Sequence, residues 1–313
     1  KAAENFADRD FREIAIAEFY YFTGQAQKCS DLVEIYIMSS RLELKLSACM
    51  LYVYSNLTLG NAKASERGLE IIRECLRKEM EAPTSERNTA YCVFAGYMGT
   101  VLLHLSTEEL PDMKKYMSSL PQGLRIFAAS IISHTLYLNG EYSRALGICD
   151  AALFSCKEIY PVGMIYLHCV TAMCEISLKH QAEAEEAILT AWKLAVKDEL
   201  IEPFIELHGL LQGLLESCIR KENPEMYRKI SDAVITFSRG WMAVHNPASD
   251  NPVTDALTTM EFSIAMLACR DWSNREIAEH MGVSLNTVKH YLTDIFNKLH
   301  VKKRDELKNF VLK

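Results

Sequence analysis

The sequence predicts an all-α protein: an α-solenoid of helical hairpins followed by a small four-helix domain built around a helix-turn-helix. Three observations predict it. Residues 1–244 show almost no strand alternation, only helix-period apolar segments, each broken by Gly or Pro. The breaks recur with a period of about 34 to 40 residues and a helix–turn–helix per unit, the signature of stacked hairpins. Near the C-terminus, two helix-start signals and a glycine stop succeed one another within a short polar-faced stretch.

The clearest hairpin is SHTLYLNGEYSRALGICDAALFS, residues 133–155. One helix ends near Asn139-Gly140, and the next carries Ala145 and Ala152, small residues that let two helices pack closely. Tyr21-Phe22-Thr23-Gly24 and Leu57-Thr58-Leu59-Gly60 repeat the helix end one unit apart. Ala184 and Ala191 repeat the alanine pair one unit after the first. Between Gly60 and Gly140 no clean glycine turn occurs, and Leu105–Pro121 is irregular. The last helix of this region is capped by Asn223, with Pro224 in its first turn. Its stripe is Met226, Ile230, Val234, Phe237, Trp241 and Val244, read as core, with a cover for the C-terminal domain as the alternative for Trp241. Tyr137, Tyr160 and Tyr166 fall at helical spacing, which suits core or the lining of a concave face.

Residues 245–256, HNPASDNPVTDA, hold two prolines and one sizeable apolar side chain. They read as an interdomain linker of roughly 20 Å if flexible. The C-terminal domain, 257–313, opens on a capping box from Thr258 to Glu261. Ile264, Leu267 and Ala268 give its first helix a core face. Ser273 and Glu276 form a second capping box; Ile277, Ala278 and Met281 face inward; Gly282 ends the helix in a left-handed turn. Ser284 caps the next helix, whose Val288, Leu292, Ile295 and Leu299 are spaced four, three and four apart. Its opposite face carries Asn286, Lys289, His290, Thr293 and Asn297. A polar, weakly charged helix face of this kind suits a DNA major groove. A last helix is expected from about Lys303, with Leu307, Phe310 and Val311 apolar.

Net charge is −7, but it is not evenly divided. From Leu257 onward nine basic residues face seven acidic ones, giving +2 and leaving −9 on the rest. An acidic body repels a phosphate backbone while the tail can approach it. The ten cysteines are scattered without metal-finger spacing, as expected of free buried thiols in a reducing cytoplasm. No apolar run reaches the roughly 18–20 residues of a membrane span. The opening KAAENFADRD lacks a signal-peptide core and an initiator Met, so a segment upstream of Lys1, such as an ATPase, is left open.

From Leu257 to Leu307 the chain reads LTTMEFSIAMLACRDWSNREIAEHMGVSLNTVKHYLTDIFNKLHVKKRDEL, with Ser-Asn-x-Glu-Ile-Ala, Val-Ser-x-x-Thr-Val-Lys and Lys-Leu-x-Val-x-x-Arg in register. This resembles the LuxR-type helix-turn-helix domain. The resemblance implies that Lys289, His290 and Thr293 face base edges. It also implies that Arg275, Ser284, Asn286, Thr287 and Lys298 lie against phosphates. Met260, Asp271 and Tyr291 depart from the family's usual Arg, Gly and His, and Tyr291 bears on the base contacts. Glu261 and Arg304 stand where they either pair across the small core or leave Glu261 solvated, and the pairing is the expectation carried forward. The final helix either mediates dimerisation, as often in the family, or covers the core.

The N-terminal region resembles tetratricopeptide repeats, in particular the degenerate kind of MalT-like LuxR regulators, where the corresponding region receives an inducer. None of the thirteen glycines precedes Lys, so the phosphate loop those regulators carry upstream is absent. No His-Glu-x-x-His, Gly-x-Ser-x-Gly or nucleophile–base arrangement is visible, and His104, His134, His168, His180 and His208 lack ligand spacing. The expectation is therefore not an enzyme, with no cofactor and no metal. It is a bacterial, cytoplasmic, DNA-binding transcription regulator, acting on double-stranded DNA as a homodimer or oligomer, with an effector of unknown identity at the solenoid. The alternative is a helical-repeat interaction scaffold with a weak or non-DNA-binding helix-turn-helix.

Overall fold

A computed structural model describes residues 8–101, 110–245 and 257–307, the side chains of 241–245 and 259 excepted. The expected linker from residue 246 on, the stripe's Trp241 and Val244 side chains, His104, Phe310 and Val311 lie outside the described residues. The described residues form helices and turns with no strand.

The body begins with paired helices: α1 (Arg9–Phe22) with α2 (Ala26–Val33), and α3 (Leu42–Thr58) with α4 (Ala62–Glu81). α5 (Glu86–Val101) packs on a 3₁₀ helix, Met113–Ser119, that stands where a second helix of that pair is expected. α6 (Gln122–Leu138) then pairs with α7 (Tyr142–Ser155), and α8 (Pro161–Ser177) with α9 (Gln181–Ala195). Each leading helix also packs on the leading helix of the next pair, α1 on α3, α3 on α5 and α6 on α8. Contacts therefore run between neighbours, as in a stack.

Four hairpins end their first helix in the same way. Gly24 donates to Tyr21 O at 3.0 Å while Gln25 donates to Tyr20 O at 2.8 Å. The equivalent pairs recur at Gly60 and Asn61, at Gly140 and Glu141, and at Lys179 and His180. This is a Schellman closure, which needs a left-handed residue and so favours glycine. Gly24, Gly60 and Gly140 have φ of +73°, +72° and +76°; Lys179 adopts φ +64° without being glycine. The alanines that follow are buried as expected at Ala145, Ala184 and Ala191, and half-buried at Ala152.

The inner side of the stack is occupied by the chain itself. After α9, the short α10 (Glu202–Glu206) packs between α1 and α8, the leading helices of the first and last pairs. A turn-rich stretch leads through a π-helical turn, Leu215–Ile219, and the short α11 (Arg220–Glu222) to α12 (Pro224–His245), which lies against α3 and α4. Asn223 caps α12 through its Oδ1, which accepts from Met226 N at 3.0 Å; Met226, Ile230, Val234 and Phe237 are buried. At the crossing with α3, Gly240 brings its backbone so near that a Cβ there would overlap Leu57 O. Trp192 and Phe204 meet edge-on, ring centroids 5.5 Å apart. Each such buried ring contributes roughly 2–3 kcal/mol.

This filling fixes the tyrosines of the inner face. Tyr166, with Tyr21, donates to the Glu206 carboxylate, and Tyr137 is buried; Tyr160 bonds Glu158 at 2.9 Å near the surface. They are packing and hydrogen-bonding residues.

Three helices make the C-terminal domain: α13 (Thr259–Cys269), α14 (Asn274–Met281) and α15 (Leu285–Leu299), followed by a 3₁₀ turn, Arg304–Leu307. The last helix expected from Lys303 is thus a 3₁₀ turn as far as it is described. No described helix is long and apolar enough to cross a membrane.

Candidate nucleic-acid interface

The α14–turn–α15 unit is built by local hydrogen bonds. Ser273 Oγ accepts from Glu276 N at 3.2 Å and Glu276 Oε2 accepts from Ser273 N at 2.6 Å. Together they make a complete capping box. These bonds, with Lys179 beside them, hold the Glu276 carboxyl down at about 2. Gly282 closes α14 at φ +64°. Ser284 Oγ then accepts from Thr287 N at 3.1 Å and opens α15. A second capping box joins Thr258 and Glu261 at the start of α13.

The apolar side of α15, Val288, Leu292, Ile295 and Leu299, is buried against the domain core with Ile264, Leu267 and Ile277. The opposite side is open. Asn286, Lys289, His290, Thr293 and Asn297 are all exposed. Thr293 Oγ1 donates to Lys289 O at 2.9 Å, which leaves its acceptor lone pair outward. Ser284 and Asn286 are exposed and Thr287 half-buried at the helix N-terminus, where backbone N–H groups lack intrahelical partners. The Ser284 and Thr287 hydroxyls bond each other at 2.7 Å. Arg275 is exposed on α14. Tyr291 is half-buried against the core rather than on the exposed face.

Lys298 stands apart. Its ammonium lies 2.7 Å from both oxygens of Glu261, a buried carboxylate. Burial alone pushes Glu261 upward, but Lys298 and the Thr258 cap outweigh it and hold the carboxyl below its usual range. The expected pairing of Glu261 with Arg304 is therefore corrected: Glu261 takes Lys298. Arg304 instead donates to three oxygens that close the domain, Ala268 O at 3.0 Å, Asn274 Oδ1 at 2.9 Å and Trp272 O. A guanidinium with five donors suits a cluster of oxygens from separate turns better than a single carboxylate. The replacement at Asp271 is accommodated in the left-handed region, φ +61°, where Asp is tolerated better than most residues.

The domain is docked on the body through α13, the turn after it and α14. Phe262 sits against Gly209, where a Cβ would meet its ring at 2.6 Å, and Met281 against Gly213, where a Cβ would overlap Sδ. Ser263 Oγ donates to Glu216 at 3.3 Å, and His280 Nε2 meets Gln212 O at 2.8 Å. Burial of Glu216 raises its carboxyl, but His208 at 2.9 Å and the Ser263 hydroxyl bring it below the usual value. Arg270 reaches Ser177 Oγ at 2.6 Å and Tyr137 OH at 2.5 Å. Lys179, the left-handed residue of the last hairpin, pairs with Glu276 at 3.0 Å and lies over Trp272. None of these contacts uses the exposed face of α15.

Sequence reasoning missed the body's side of this seam. Gly209, Gln212, Gly213 and Glu216 carry no motif, and two glycines in an otherwise apolar stretch, HGLLQGLLES, were the sole signal of a close approach.

Residues 255–311 match the model of a family described as bacterial regulatory proteins, luxR family. A probable transcriptional regulatory protein SgaR from Hyphomicrobium methylovorum is 28% identical over 88 residues, which are 27% of this chain and 40% of that protein. The match thus spans less than half of the relative. No solved structure matches.

Proposed function

We propose that this chain is a sequence-specific DNA-binding transcription regulator. The observation that carries it is the uncovered polar face of α15 within a domain matching the luxR family. In this reading α15 enters the major groove and Lys289, His290 and Thr293 meet base edges, with Lys289 donating to guanine O6 or N7. Ser284, Asn286, Thr287 and the helix N-terminus, together with Arg275, meet phosphates. Lys298 contributes little, because its charge is already matched by Glu261. The chain binds as a homodimer or oligomer in a bacterial cytoplasm and performs no catalysis.

The body serves as a signal-receiving or assembly domain, similar to the tetratricopeptide-like region of MalT-like regulators. Because α10 and α12 occupy its inner side, an effector would act by displacing or bracing those helices, and α12 is the last described helix before the DNA-binding domain. The docking contacts leave the reading face exposed.

In vitro selection with the full chain should enrich an inverted repeat from a random duplex pool. Affinity for it should fall by roughly 0.9 log units per log of salt for each phosphate neutralised. Failure to enrich any sequence at low salt overturns the reading. It would favour a helical-repeat interaction scaffold, a role that the matched charge of Lys298 and the modest basic excess of the tail also suit.

A further inference from the structure

The seam between the two parts of the chain places one body lysine beside the helix-turn-helix. Lys221, on α11, has its Nζ 3.6 Å and its Cε 3.9 Å from the point where a Cβ of Gly282 would stand. Gly282 is the exposed turn between α14 and α15. Ser284, the N-cap of α15, follows two residues later, at most roughly 8 Å along the backbone. The Lys221 ammonium is exposed and forms no ion pair among the described residues. The stretch that leads to it is tied to the domain by the Gln212–His280 hydrogen bond and the Gly213–Met281 contact, nine and eight residues earlier on the chain.

We propose that Lys221 of the helical body is a DNA-backbone contact, so that both parts of the chain build the duplex interface. The inference rests on the reading of α15 as a groove-entering helix and extends it to a residue outside the matched segment. Electrostatics support it in two ways. The open N–H groups of the first turn of α15 and the positive end of its dipole begin three residues after Gly282, so the ammonium and the helix start favour phosphate on the same side of the domain. Within the helix-turn-helix Lys298 is matched by Glu261, leaving Lys289 and Arg275 as the exposed cations there, while Lys302 and Lys303 stay exposed beyond α15. The Lys221 ammonium adds one more cation, on the side where the turn opens into α15.

The test uses the full chain and the duplex that the wild type enriches from a random pool, with affinity measured across a salt series. Lys221→Ala should weaken binding several-fold on every sequence, leave base preference intact, and lower the salt slope by about 0.9. Lys221→Glu should weaken it further and Lys221→Arg should restore it. Lys63→Glu, the same charge change on exposed Lys63 at the start of α4, should leave affinity unchanged. Wild-type affinity and slope in both Lys221→Ala and Lys221→Glu overturn the proposal, as does a loss in Lys63→Glu equal to that in Lys221→Glu. Altered base preference in Lys221→Ala overturns the backbone assignment. A wild-type chain that enriches no duplex sinks the regulator reading itself, an outcome separate from a lysine that a DNA-binding chain does not need.

Discussion

Three side chains carry the sharpest expectations at the scale of the residue. Lys289→Ala should cost on the order of 1–3 kcal/mol of DNA affinity and relax preference at one base position; equal loss on all sequences would make Lys289 a phosphate contact. Buried Glu202 and half-buried Glu206 lie one helical turn apart on α10. Burial first, then the neighbouring Glu206, pushes Glu202 up to about 8, and burial pushes Glu206 up to about 7 against the hydroxyls of Tyr166 and Tyr21. Both folded values exceed the ordinary 4.5, so the folded state holds protons that the unfolded state has released. Their contribution is complete below pH 4.5 and is lost as pH rises through 7 to 8. Thermal midpoints should therefore fall between about pH 5 and pH 8, and Glu202→Gln should flatten that fall; an unchanged slope in the variant would remove the assignment. The capping serines and the apolar positions of α15 were legible because each is decided within a few residues. The partner of Glu261 was not, since Lys298 and Arg304 are both cations at the right remove and only packing chooses between them.

At the scale of the element, the hairpin ends were readable wherever glycine marked them, at Gly24, Gly60 and Gly140. The fourth was hidden because Lys179 takes the left-handed position that glycine takes elsewhere. A side chain there costs roughly 1–2 kcal/mol. The ammonium of Lys179 on Glu276 and over Trp272 is what the strained backbone retains. Lys179→Gly should thus be more stable to denaturant than Lys179→Ala by about 1 kcal/mol, since both lose the ion pair but only glycine relieves the backbone. Equal stabilities would show that the turn is unstrained. The crossing of α12 over α3 gives a harder test. In Gly240→Ala the added carbon meets the backbone oxygen of Leu57, which cannot rotate away. About 1–3 kcal/mol of stability should be lost, read as a lower denaturant midpoint. Nothing local announced that crossing. Gly240 reads as an ordinary helix-interior glycine until Leu57 is brought against it.

For the whole molecule, the sequence divided charge and motif between two parts but did not join them. Joining depends on residues far apart along the chain, with Arg270 reaching Ser177 and Tyr137, and His280 reaching Gln212. No periodicity reports such pairs. Arg270→Ala removes both hydroxyl contacts at once, while Gly213→Val drives a branched side chain into Met281 at a left-handed backbone position. Either variant should enlarge the radius of gyration in small-angle scattering while leaving helical content unchanged. A variant chain as compact as the wild type would show that apolar contacts such as Phe262 on Gly209 hold the domain without them.

The self-filled inner side of the body also sets an order of assembly. Neighbouring hairpins can stack as they are synthesised, because each needs only the one before it. The wall that α3 offers must wait for α12: Leu57 meets Gly240, which is made only after every hairpin of the stack is complete. Until then the side of α3 that α12 covers has no partner. A ribosome that stalls before Pro224 releases a sticky intermediate rather than a shorter stable protein, so truncated products should be found aggregated or bound by chaperones.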